Sequence, residues 1–168
     1  MGQAYCGFAG EARPVWPLGP EVHVFLGIVY EQHLEHGEQR AVAAVILATV
    51  LEVLLEEHLR DLLDAYRVHT NVVRVLLDAC RGRDRRIALY NQLADRPFSE
   101  AMAEGGMKSF LAGWKNLAEH RNVTVHGDLK AYFSDSDVIR YVRDNCLRAF
   151  AVVNAEVRRM ARSLESST

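Results

Sequence analysis

Residues 41–55, AVAAVILATVLEVLL, are apolar at every position except Thr49 and Glu52. A helix with apolar side chains on nearly every side has to be buried on nearly every side. The run is also too short to cross a bilayer, which takes about 20 apolar residues, and it carries a carboxylate. It therefore predicts the central helix of a soluble helical body, spanning about residues 38–66.

The rest of the chain fits around such a helix. Pro14, Pro17 and Pro20, with Gly2, Gly7, Gly10 and Gly19, crowd residues 1–20. That density of breakers predicts an irregular arm, which Trp16 pins to the body or to a second subunit. The next proline is Pro97. A first helix is expected over 21–36, with Val22, Phe25, Leu26, Val29 and Leu34 on one face and Gly37 at its end. Further helices are expected over 70–80 and 84–94, separated by a charged turn at 81–86. Pro97 breaks the chain, and Gly105-Gly106 breaks it again. Residues 107–119 are amphipathic, with Met107, Phe110, Leu111, Trp114, Leu117 and Ala118 at helical spacing. A short β-branched piece, Val123-Thr124-Val125, follows. Ser134-Asp-Ser-Asp starts a last helix over about 135–163, whose stripe is Ile139, Val142, Cys146, Phe150, Val153, Val157, Met160 and Leu164. The stripe and Trp114 read as core, with a dimer face as the alternative. The expected fold is all-α, a bundle of about five to six helices over 21–168 preceded by the arm 1–20.

Composition narrows the function. Hydrophobic residues make up 49% and charged residues 25% of the 168, an ordinary globular balance. A net charge of −2 excludes a domain that grips nucleic acid by bulk electrostatics, although a local basic strip suffices to hold a few phosphates. Cys6, Cys80 and Cys146 stand far apart, which points to free thiols in a reducing compartment. With no leader-like segment at the N-terminus, the expected location is the cytoplasm. His33 and His36, beside Glu31 and Glu35, could face a metal. The chain has no E-x-x-H and no H-E-x-x-H, so neither a metal nor another cofactor is expected. His58 and His69 read as surface residues.

Three features could carry chemistry. Glu52 either reaches solvent at the edge of the apolar run or is internal, and an internal carboxylate needs a cation, most naturally an arginine. Arg121-Asn122-Val123-Thr124-Val125-His126 gathers the groups needed to cut RNA without a metal. A neutral imidazole takes the proton from a ribose 2′-hydroxyl, a guanidinium neutralises the phosphorane that forms, and an amide orients the phosphate or fixes the tautomer. The bland alternative is a helix C-terminus where His120 and Arg121 offset the macrodipole, with His126 in a loop. Arg81, Arg83, Arg85 and Arg86 are either a solvated turn or a guide strip for RNA.

Arg121-Asn122-x-x-x-His126 resembles the R-x(4–6)-H signature of HEPN domains, with the polar residue after Arg that the family favours. The layout is similar too: a long apolar helix bearing an acidic residue, a Trp-containing helix leading into the motif, then a long C-terminal helix. The resemblance covers about residues 21–165, by pattern rather than identity. It implies a helical bundle that dimerises so that two motifs face one another across a cleft. The implied activity is metal-independent RNA cleavage leaving a 2′,3′-cyclic phosphate and a 5′-hydroxyl, often in toxins silenced by an antitoxin or in antiphage effectors. Carried onto this chain, Arg121 binds the phosphate, His126 is the general base or acid, Asn122 orients, and Glu52 is the acidic residue beside the motif. Inactive binding or scaffolding versions also exist within the family.

Overall fold

The structure, a computed structural model, describes residues 24, 27, 28, 40–125 and 136–166. Six helices fill the two long stretches: α1 (Arg40–Ala65), α2 (Thr70–Ala79), α3 (Arg83–Leu93), α4 (Phe98–Glu104), α5 (Lys108–Val125) and α6 (Ser136–Ser166). No strand occurs among the described residues, and the fold is an all-α bundle. Val24, Gly27 and Ile28, within the expected first helix, are helical. The arm 1–20 with Trp16 and Cys6, and also His33, His36 and His126, lie outside the described residues.

Helix α1 is the axis of the bundle and packs chiefly on α5 and α6. Leu47, Leu51, Leu54, Leu55, Leu59, Leu62 and Leu63 are buried, a period-of-3.6 series that continues past the apolar run. Burial is not complete all round, however. Val42 and Val53 are 48% and 43% exposed, and Thr49 on the same outer strip donates its hydroxyl to the Val45 carbonyl at 2.8 Å.

The stripe expected on the last helix is core from Ile139 to Met160, and Leu164 is half-buried. It is used up inside the subunit and is not a dimer face. Trp114 sits where α4, α5 and α6 meet, with ring centroids 6.3 Å from Phe98, 6.4 Å from Phe110 and 6.0 Å from Phe150.

Three expectations need correction. The β-branched residues Val123–Val125 do not leave the helix, and α5 runs to Val125. Between Pro97 and Gly105 the chain forms α4, whose first free amide, on Phe98, donates to the Asn91 side-chain oxygen at 2.7 Å. His58 is not on the surface but fully buried. Its Nδ1–H donates to the Leu54 carbonyl at 2.6 Å, and its ring lies 5.5 Å from that of Phe150. Desolvation pushes its pKa down to about 4, against the pull of hydrogen bonds to the Leu54 and Phe150 carbonyls. His69 is exposed, as expected, and caps α2 by accepting from the Asn71 amide at 3.2 Å.

Helices α5 and α6 cross closely at Gly113. A Cβ there would stand 2.6 Å from Cγ2 of Val142, which is fully buried and stiff at χ1. Alanine would raise intrinsic helix propensity, yet Gly113→Ala should destabilise the fold by about 1–3 kcal/mol through overpacking. Thermal melts of Gly113→Ala, Val142→Ala and the pair check this, since the pair should be more stable than the sum of its single changes predicts. Simple additivity would show that the helices do not touch here.

Candidate functional site

The site begins with a carboxylate that helical geometry forces against the bundle. Glu52 lies on α1 between the buried Leu51 and Leu55, and its side chain is 14% exposed. Its oxygen is 2.8 Å from Nη1 of Arg121 on α5, whose side chain is 23% exposed. The second terminal nitrogen of Arg121 donates to Oδ1 of Asn122 at 3.3 Å. Glu52 is thus mostly buried and paired with an arginine, and that arginine belongs to the R-N-x-x-x-H motif.

The neighbouring Glu56 is separately engaged. Glu56 pairs with Arg86 and with Arg60, the latter at 3.1 Å. Arg86, buried on α3, also donates from Nη1 to the Glu52 backbone carbonyl at 3.0 Å. Glu52 thus reaches Arg121 of the motif, and α3 is fastened directly behind it. The macrodipole explanation for Arg121 fails on position, because α5 continues to Val125 and its last turn holds no basic residue.

The pair is not shut away. It lines an open cleft of about 280 Å³ together with Arg81, Gly82, Arg83, Asp84, Arg85, Lys115, Ala118, Glu119 and Asn122. Two walls meet there. One is the turn into α3, where Gly82 has φ 88° and ψ 156°, a conformation open essentially to glycine alone. The other is one face of α5, because positions 115, 118, 119 and 122 share a side at spacings of three, four and seven. Five lining residues are Arg or Lys and three are Asp or Glu, a local positive excess within a chain of net charge −2.

Arg121, Asn122 and Glu52 are brought together, and His126 lies outside the described residues. Lys115 and Glu119 were legible as cleft residues only through their shared helix face with Asn122. The guanidinium, amide and carboxylate present one fixed cation with a hydrogen-bonding neighbour, an arrangement suited to holding a phosphate oxygen. No cluster of three or more His, Cys, Asp or Glu residues that could hold a metal ion occurs among the described residues. Cys146 is buried and Cys80 half-buried, and neither is in a disulfide. No described helix is long and apolar enough to cross a membrane. No known family model matches the chain, and no curated protein or solved structure does.

Proposed function

We propose that the protein is a metal-independent endoribonuclease of the HEPN type, acting as a homodimer, in a toxin or defence role. The observation that carries this reading is the Glu52–Arg121 pair opening onto a cationic cleft. A purely structural ion pair in a bundle core has no need of such an opening. In the proposed reaction the 2′-hydroxyl attacks the adjacent phosphorus in line, giving up its proton to His126. The P–O5′ bond breaks, leaving a 2′,3′-cyclic phosphate and, once protonated, a 5′-hydroxyl. Arg121, held by Glu52, neutralises the phosphorane, and Asn122 orients a non-bridging oxygen. Each subunit contributes one motif to the shared site, and an antitoxin or regulatory protein is the natural counterpart of such an enzyme.

A second reading has one observation in its favour: Arg121 is already satisfied by Glu52 and three-quarters buried. In that reading the fold is an inactive module that dimerises or binds a partner or nucleotide. Incubation of pooled cellular RNA with purified protein in EDTA separates the two. The wild type should produce fragments ending in cyclic phosphate, and folded Arg121→Ala and His126→Ala proteins should produce them far more slowly. Intact RNA with all three proteins would favour the inactive module, and equal cleavage by His126→Ala would remove the mechanism.

A further inference from the structure

The cations of the 81–86 segment divide into two kinds once their partners are known. Arg86 faces inward and ties α3 to α1 through the Glu52 carbonyl and the Glu56 carboxylate. Arg83, three residues earlier on the same helix, has a side chain only 12% exposed. It is held by Asp84 through Nε at 3.0 Å and reaches the Leu111 carbonyl at 3.5 Å. Arg85 is exposed and has no hydrogen-bond or ion-pair partner among the described residues. Across the cleft Lys115 is 63% exposed, with a loose 3.8 Å contact to Glu119. Arg81 pairs with Asp78 at 3.1 Å, but both side chains are more than half exposed. Exposed pairs of this sort contribute little to stability and yield readily to a stronger anion.

Arg85, Lys115 and Arg81 are therefore the available cations of a cleft whose deeper cation, Arg121, is already balanced by Glu52. We infer that these three form a phosphate-binding tract flanking Arg121, which seats the backbone of a single RNA strand across several consecutive phosphates. The identification of the polyanion as RNA rests on the ribonuclease reading; the tract itself rests on the cleft. Its size selects the strand. About 280 Å³ lies just below the roughly 300–1,000 Å³ of pockets that enclose small ligands. It admits a short length of splayed chain, whereas a duplex would touch only the rim. Cations on both walls suit a backbone threading between them, and Gly82 puts no side chain in its way.

The test uses a fluorescein-labelled, single-stranded 2′-O-methyl RNA 12-mer, which cannot be cut by 2′-hydroxyl attack. Its binding to the full-length protein is followed by fluorescence anisotropy in EDTA over a series of salt concentrations. Arg85→Ala and Lys115→Ala should each weaken binding roughly three- to tenfold and flatten the plot of log K against log salt by about 0.7. Arg74→Ala removes an exposed arginine of α2 that does not line the cleft, and should change neither quantity. Arg85→Lys should retain most of the affinity, and the same sequence as a duplex should bind less tightly. Absence of binding, equal losses from Arg74→Ala and Arg85→Ala, or a preference for the duplex would each overturn the inference. Cleavage of the all-ribose 12-mer is scored separately. Tract-dependent binding without cleavage would sink the ribonuclease and leave the tract standing.

Discussion

If the protein is the proposed ribonuclease, exchanging Arg121 for lysine should slow RNA cleavage almost as much as exchanging it for alanine, on the order of 10²–10³-fold in both cases. Charge alone would not describe Arg121 in that reaction. One nitrogen of its guanidinium meets Glu52 at 2.8 Å while the other donates to Asn122 at 3.3 Å. The planar fork keeps further N–H groups in fixed directions for a phosphate oxygen. A lysine ammonium is a compact charge on a flexible stem, and it cannot hold Glu52 in one direction and a phosphorane in another with the same geometry. Single-turnover rates in EDTA, on proteins shown to be folded, provide the measurement. A lysine variant within a few-fold of wild type would mean that Arg121 acts as a point charge and that the pair with Glu52 is incidental.

Glu52→Gln extends the same expectation. The amide keeps the size of the side chain and loses its charge, so Arg121 remains cationic but less firmly aimed. The rate should fall by about tenfold in the wild-type background and by little more when Arg121 is already alanine, since residues that act through one another are not additive. Stability should couple in the opposite sense. Arg121→Ala strands a mostly buried carboxylate, a costly change, and adding Glu52→Gln should restore part of the loss.

Periodicity made most of this fold readable. The stripe on α6 and the Met107–Leu117 face of α5 are core because residues three and four apart share a helix side, a relation that survives whatever the neighbours are. Glu52 was half readable for a different reason: an internal carboxylate demands a cation, most naturally an arginine, but that the arginine is Arg121 shows only once the helices are packed. The misreadings came from weak local signals overruled by context. β-branching at Val123–Val125 disfavours helix by only a few tenths of a kcal/mol per residue, too little to end a helix already running. Helix α4 is seven residues long and depends on a cap from Asn91, on another helix, which no local pattern announces. The two walls of the cleft come from segments about thirty residues apart and meet because both are fastened to α1 at Glu52, α3 by Arg86 on its carbonyl and α5 by Arg121 on its carboxylate, contacts invisible until the helices are packed. His58 was legible in principle, since it lies four residues from Leu54 and Leu62 and so shares their buried side, but its polarity argued for the surface.

That buried imidazole should make the protein acid-labile between about pH 6.5 and pH 4. His58 is fully enclosed by the core, and its pKa falls from 6.5 to about 4 in the folded state. Above pH 6.5 the imidazole is neutral whether the chain is folded or not, so it adds no pH dependence. As pH drops below 6.5 the unfolded chain binds a proton that the native state refuses, and stability must fall. At about 1.4 kcal/mol per pH unit, the loss approaches about 3 kcal/mol near pH 4, where the native state too begins to take the proton and the slope flattens. Asp61 acts with the opposite sign at the acid end. Burial and the nearby Asp64 raise its carboxyl pKa, so the native state takes that proton more readily and offsets part of the loss. Urea titrations at half-unit steps from pH 7.5 to pH 4 would trace the curve. His58→Leu has no proton to gain at this position, so the fall between pH 6.5 and pH 4 should flatten in that variant while stability at pH 7.5 stays close to wild type. If the two proteins lost stability in parallel, the acid sensitivity would belong to carboxylates elsewhere, and His58 would have to exchange its proton without leaving the core.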